Sequence, residues 1–296
     1  MRRSEIVQPE TIQQAVRALQ GRGAVAFAGG TDLIPAMQRG EARPQVLVNL
    51  KGLSDLRGIR RVRGGIRIGA LTRVSEVLES ALVAAEFPLL VAVARDFGSA
   101  QIRNLATIGG NLCNAAPSAD LALPLLALDA RLAIRGPRGS RAIPVSEFFR
   151  GVNRPALARA EVLTAIIIPR APARTGAAHA KLGIRQAMDL AFVSVAAALT
   201  LRTDGRKCRR VRIALGAVAP KPMRATMAEA KLEGEPLTLA LLEEAAELAA
   251  SECRPISDLR AGRDYRRKMT RVLVRRVLRE ALRRAQPARP QKEQSR

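Results

Sequence analysis

Residues 24–40 read AVAFAGGTDLIPAMQRG: a short apolar run, then Gly29-Gly30-Thr31-Asp32, then an apolar segment with helical character. Consecutive glycines let backbone N–H groups turn inward without Cβ interference. Such nests suit phosphate oxygens when a helix begins just beyond them. Thr31 adds a hydroxyl, and Asp32 is placed to cap the helix or fix the loop. A tight strand-to-helix turn with no ligand explains the same residues equally well, because short glycine motifs are common.

A second stretch shifts that balance. Residues 104–120, NLATIGGNLCNAAPSAD, repeat the pattern with Thr107, Gly109-Gly110 and Asn111, followed by Ser118 and Asp120 ahead of an apolar run. Two polar glycine loops can grip an extended diphosphate ligand from two sides. Gly64-Gly65 lies between a basic segment and a strand and reads as a plain turn. Neither GxGxxG nor GxxxxGK[ST] occurs, so a nucleotide site here is of another type.

Around these loops the chain alternates elements. Ile12, Ala15, Val16 and Leu19 recur at helical spacing; GAVAF and PQVLVNL read as strands, as does GGIRIGAL. Thr72 is placed to cap a helix carrying Val74, Val77, Leu78, Ala81 and Leu82, and Pro88 begins another. RLAIRG and EVLTAIIIP are further strands, and the Pro- and Arg-rich segment 170–178 marks a boundary. Beyond it come two strands, AFVSVAAALTLR and VRIALGAVA, then helices near 238–252 and 264–285. The last helix sets Met269, Val272, Leu273 and Val277 on its apolar face, with arginines elsewhere. The pattern is α+β.

Composition narrows the function. The net charge of +24 invites a nucleic-acid reading, but +11 of it comes from residues 260–296, and an aromatic content of 2% leaves little platform for stacked bases. A solvated basic surface, or a basic face for an acidic partner, fits better. The cysteines Cys113, Cys208 and Cys253 are far apart and His179 is the single histidine, which argues against a metal site or a nucleophilic triad. The opening MRRSEIVQPETIQQ has no apolar core behind its basic residues, and no apolar run is long enough for a bilayer, so a cytoplasmic location is expected.

AGGTDLIPAMQRG, LRGI, IRIGALTRVSE, QIRNLATIGGNLCNAAPSAD, LLALDARL and EFFRG occur in that order. The chain resembles the FAD-binding medium subunits of molybdenum hydroxylases, the xanthine dehydrogenase and aerobic carbon monoxide dehydrogenase family. The resemblance implies a two-lobed vanillyl-alcohol oxidase-like (PCMH-type) FAD-binding fold, with lobes at 1–55 and 56–175. A C-terminal α+β flavin-subunit domain would span 176–285, and 286–296 would form a flexible tail. It places the FAD diphosphate at Ala28, Gly29, Gly30, Thr31 and Asp32, and assigns further contacts to Thr107, Gly109, Gly110, Asn111, Ala116, Ser118 and Asp120. Leu163 would lie against a flat ring, and Lys181 near the isoalloxazine. It gives the chain no catalytic residue and no metal.

The same resemblance implies partners: a small subunit with two [2Fe–2S] clusters and a large molybdopterin subunit, in a heterotrimer or its dimer. Electrons would pass through FAD to NAD, a quinone or oxygen. One departure stands out: His179 occupies a position where the family often has an aromatic residue, commonly Tyr. A stand-alone flavin oxidase of the vanillyl-alcohol oxidase type is the alternative, weakened by the short C-terminal part and the lone histidine. A basic nucleic-acid-binding module leaves both glycine loops without a purpose.

Overall fold

The computed structural model describes residues 4–185 and 188–286; the expected tail beyond Gln286 lies outside the described residues. The chain opens with β1 (Glu5–Val7), α1 (Ile12–Ala18), β2 (Ala24–Phe27), α2 (Leu33–Gln38) and β3 (Val46–Asn49), whose strands form a parallel sheet ordered β1-β3-β2. Parallel strands need crossovers, and α1 and α2 supply them. Thr11 caps α1 by accepting from Gln14 N at 3.2 Å, while Gln14 Oε1 accepts from Thr11 N at 3.2 Å.

A second unit follows with β4 (Ile59–Val62), β5 (Gly65–Gly69) and five short helices: α3 (Val74–Glu79), α4 (Ala81–Glu86), α5 (Pro88–Arg95), α6 (Ala100–Arg103) and α7 (Ile108–Asn114). Then come α8 (Ala122–Ala127), β6 (Arg131–Gly136), β7 (Gly139–Pro144), the small pair β8 (Phe149–Gly151) and β9 (Arg154–Pro155), and β10 (Val162–Pro169). The large sheet is antiparallel in the order β4-β5-β10-β6-β7. Ile66 and Ile68 of β5 point into the core with Leu89, Leu90, Phe148 and Phe149.

The helix expected after Thr72 is in fact two. Arg73, not Thr72, occupies the cap position, and the buried Thr72 hydroxyl donates instead to Gly58 O at 3.2 Å. Ser80 adopts extended backbone, ends α3 and starts α4, its Oγ accepting from Val83 N at 3.3 Å. The helical spacing of the apolar residues hid a break that a side-chain hydroxyl creates.

The third unit contains β11 (Thr175–Leu182), β12 (Val193–Leu201), β13 (Cys208–Gly216), β14 (Met223–Arg224), α9 (Thr226–Leu232), α10 (Leu239–Glu252) and α11 (Arg263–Ala285). Its four strands form one antiparallel sheet in sequence order. The sequence reading expected two strands and two helices. It missed β11, whose TGAAHAKL lacks β-branched alternation, and it placed a boundary over residues that are already strand from Thr175. What holds β11 is its long register with β12 and the approach of α11, where a Cβ on Gly176 would come within 2.0 Å of Ala281 O.

Strand β12 is buried along its whole length. Its alternating side chains feed two cores: Ala196 and Ala198 join the core of the second unit, and Val195, Ala197 and Leu199 join that of the third. The small alanines let α8, itself wholly buried, lie close against the sheet. At the end of α8, Asp129 accepts from Arg210, Arg212 and Arg224 of the third unit, an ion cluster that closes the seam.

Helix α11 packs through Leu273, Val274, Val277, Leu278 and Ala281. Val272, expected on the apolar face, is half-buried, and Arg266, expected in solvent, is buried. No helix among the described residues is long and apolar enough to cross a membrane.

Candidate functional site

The two glycine loops meet. A cavity of about 440 Å³ is lined by Ala28, Gly29, Gly30, Thr31 and Asp32 from the β2–α2 turn and by Thr107, Gly109, Gly110 and Asn111 from the start of α7. Leu163 of β10 forms part of its wall. The lining also includes Val25, Phe97, Cys113, Asn114 and Leu157, which the sequence reading passed over. Phe97 was legible as an aromatic just after a helix; Asn114 and Leu157 carried no signal that singled them out.

The loops reach the cavity by different means. In the first, none of the backbone N–H groups of Gly29, Gly30, Thr31 and Asp32 has a hydrogen-bond acceptor among the described residues. Gly30 takes φ +76°, and a Cβ on Gly29 would lie 2.2 Å from Leu105 O. Both glycines are therefore required by backbone geometry and close approach. Asp32 stands at the α2 cap position but makes no side-chain capping bond, and burial raises its pKa.

In the second loop the N–H groups are already used. Ile108 N donates to Thr72 O at 3.0 Å, Gly109 N to Ala70 O at 2.8 Å, Gly110 N to Thr107 Oγ1 at 3.0 Å and Asn111 N to Thr107 O at 3.0 Å. The expected second nest is thus a capped helix start. Its glycines serve contact: a Cβ on Gly109 would fall 2.6 Å from Ala70 O. Asn111 Oδ1 accepts from Leu121 N at 3.2 Å, tying this loop to α8 and leaving its amide NH₂ as a donor.

Ala116, Ser118, Asp120 and Lys181 lie outside the cavity wall, on the α7–α8 connection and on β11. Asp120 does not cap α8, which has no side-chain cap, and Lys181 is not a surface lysine. They face each other across the seam, Nζ lying 3.0 Å from Oδ1 and 3.1 Å from Oδ2. The Oδ2 contact is aligned as a hydrogen bond, and buried Oδ1 keeps no such partner. Burial raises the Asp120 pKa, and Lys181 opposes that rise. Lys181 Nζ also donates to Asp96 O at 3.3 Å, beside cavity-lining Phe97, so the pair adjoins the cavity.

His179 shares this edge of β11, its side chain 5% exposed and Nδ1 3.9 Å from Asp96 Oδ2. Burial lowers its pKa to about 4, against the pull of Asp96. The unfolded chain takes up this proton near pH 6.5 and the folded chain only near 4. Stability tied to His179 is therefore present above about pH 6.5 and falls as the pH drops towards 4. His179→Phe is expected to remove a loss of about 3 kcal/mol across that window, read from urea midpoints at pH 7.5 and 4. An unchanged difference between the two midpoints would remove His179 from the account.

Unpaired N–H donors among the lining residues, apolar walls and an adjacent buried Lys–Asp pair suit a ligand that is anionic at one end and apolar at the other. Residues 2–171 match the family described as the FAD binding domain in molybdopterin dehydrogenase, and residues 178–281 match the CO dehydrogenase flavoprotein C-terminal domain. The chain belongs to this family of FAD-binding subunits of the xanthine dehydrogenase and carbon monoxide dehydrogenase type, and is an oxidoreductase subunit.

It is 36% identical over 258 residues to the xanthine dehydrogenase FAD-binding subunit of Escherichia coli O157:H7, covering 86% of this chain and 88% of that protein. It is 34% identical over 281 residues to the carbon monoxide dehydrogenase medium chain of Hydrogenophaga pseudoflava, covering 94% and 97%. Among solved structures, carbon monoxide dehydrogenase from Hydrogenophaga pseudoflava superimposes with a TM-score of 0.92 at 34% identity, over 95% of this chain and 98% of that one. Quinoline 2-oxidoreductase from Pseudomonas putida 86 gives 0.89 at 28% identity, over 96% and 99%.

Proposed function

We propose that this chain holds FAD between the two glycine loops and relays electrons from [2Fe–2S] clusters of a partner subunit to a final acceptor, NAD, a quinone or oxygen. The observation that carries this reading is the row of unpaired N–H donors at Gly29–Asp32 opening onto the cavity. Those residues fit a diphosphate: four N–H groups without an acceptor belong to consecutive residues of the cavity wall, and the two glycines among them carry no Cβ. Bound FAD would supply the electron-transfer chemistry, with the protein providing binding, orientation and electrostatics.

The chain's own contribution is to bind, orient and shield. Ala28 to Asp32 receive the diphosphate, with the Thr107 hydroxyl and the Asn111 amide alongside. Gly109 lets α7 pack against Ala70, and Gly110 leaves room for the Thr107 hydroxyl that caps the helix. Phe97, Leu157 and Leu163 offer apolar surface to a flat ring and exclude water. The free oxygen of Asp120 accepts a hydroxyl or ring N–H donor, with Ala116 and Ser118 on the same connection. Lys181 supplies positive charge beside an electron-rich ring.

We place the lobe boundaries at 1–55, 56–175 and 176–285, and the partners as a small [2Fe–2S] subunit and a large molybdopterin subunit in a cytoplasmic heterotrimer or its dimer. Support comes from relatives named as medium chains and FAD-binding subunits that this chain matches over nearly their full length. Three cysteines on separate elements leave cluster chemistry to another chain. An absorption spectrum of the purified chain, before and after addition of FAD and after acid release, tests the reading. About one releasable FAD per chain is expected, followed by capture of the cluster and molybdenum subunits. Absence of flavin after reconstitution with those partners would overturn it.

A further inference from the structure

Behind the diphosphate loop lies a second, smaller crevice of about 110 Å³. Gly29 and Thr107 line both it and the flavin cavity, and its outer rim carries Lys51, Arg57, Arg73 and Asn104. We propose that this crevice is a binding site for a single phosphate-class oxyanion, separate from the flavin.

The donor set points that way. Lys51, Arg57 and Arg73 form no ion pair among the described residues, and no carboxylate lines the crevice. The acids nearest along the chain are Asp55, which is exposed and does not line the crevice, and Glu76, which accepts from the backbone N–H of Arg73 and not from its guanidinium. Three cations gathered without a counter-charge repel one another, and an anion among them relieves that repulsion.

Two of the cations are also held in place. Lys51 Nζ lies 4.4 Å above the Phe27 ring, and Arg57 Nη2 donates to Lys51 O at 2.8 Å, which leaves further donors on both groups. Every polar side chain on the wall has a proton to donate: an ammonium, two guanidiniums, the Asn104 amide and the Thr107 hydroxyl, whose oxygen already accepts from Gly110 N. A ligand with several acceptor oxygens and more than one negative charge matches that set.

Size limits the ligand further. At about 110 Å³ the crevice has room for a phosphate-sized group. The group can arrive as free phosphate or as the terminal phosphoryl of a larger molecule whose remainder stays in solvent. Ala28, Gly29, Leu71 and Thr107 are common to the two spaces, while Leu105, whose carbonyl oxygen packs against Gly29, lines the crevice alone.

The test uses the full chain loaded with FAD, titrated with inorganic phosphate and separately with ADP by calorimetry at constant ionic strength. One saturable site per chain is expected, weakened at least about tenfold in Lys51→Gln/Arg73→Gln, which removes two of the three cations. FAD content and thermal midpoint of that variant should match the parent. Tighter binding of ADP identifies a phosphorylated ligand, and equal or weaker binding identifies the free anion. The proposal is overturned if neither titrant saturates, if the variant binds as well as the parent, or if the variant loses FAD in parallel. That last result would make the three cations part of the flavin site.

Discussion

Gly29→Val is expected to reduce bound FAD from about one per chain to below about a tenth, a loss of at least 1.4 kcal/mol in binding, while the chain still folds. A Cβ at this position meets Leu105 O at 2.2 Å and the Leu105 carbonyl carbon at 2.9 Å. Those are backbone atoms, so the β2–α2 turn must move as a unit and its N–H donors with it. Gly29 is only half-buried, whereas Gly109 is buried, so most of the cost of a Gly29 substitution falls on the ligand. Gly109→Val provides the contrast. Its Cβ would strike Ala70 O at 2.6 Å inside the core, next to buried Ile108 and Leu112, and it is expected to lower the thermal midpoint directly. Flavin content by absorbance and melting by circular dichroism separate the two. Equal loss of flavin and fold in Gly29→Val would reduce the loop to an ordinary turn.

Arg266→Met is expected to destabilise the chain by about 3–5 kcal/mol, the range for breaking a buried charge pair. The guanidinium is 4% exposed and joins three segments. Nη1 donates to Phe192 O at 2.9 Å and to Ala217 O at 3.1 Å, while Nη2 meets Asp258 Oδ1 at 2.8 Å. Burial works against ionisation of Asp258, but the N–H groups of Arg260 and Ala261 and the Arg266 charge outweigh it and hold its pKa at about 2. Asp258→Asn should cost less, because the two carbonyls keep their donor. The Asp258 contribution is present above its unfolded pKa near 3.9 and is lost as pH falls towards 2, so Asp258→Asn should converge on the parent in acid, while Arg266→Met, which also loses the two carbonyl bonds, should stay below both. Urea unfolding at pH 7 and pH 2.5 reads both effects. An Arg266→Met midpoint within error of the parent would refute the hub.

Much of the site was legible because the first loop is local chemistry. AVAFAGGTDLIP encodes a strand, a cradle and a helix within twelve residues, and the structure places Ala28 to Asp32 on the cavity wall. The TIGGN segment was legible as a partner for the wrong local reason. Its N–H groups are spent on Thr72, Ala70 and Thr107, which depends on α7 docking against β5 and the turn after it, residues some 40 positions earlier. Asp120 and Lys181 were named, but their pairing was not, because 61 residues separate them and only the sheet seam brings them together.

The fold divides along the same line. Sequence alone determined the class, α+β with two polar glycine loops, because periodicity, capping residues and glycine are read within one or two turns of chain. It also determined that the three cysteines and one histidine lie scattered through the chain. Tertiary structure alone decided that TGAAHAKL is a strand, since an alanine-rich segment becomes β only where β12 and α11 are waiting to pair with it and cover it. It decided as well that one arginine of a basic helix is buried, since a guanidinium can leave water only where two carbonyls from distant segments and the carboxylate of the preceding loop converge to replace it.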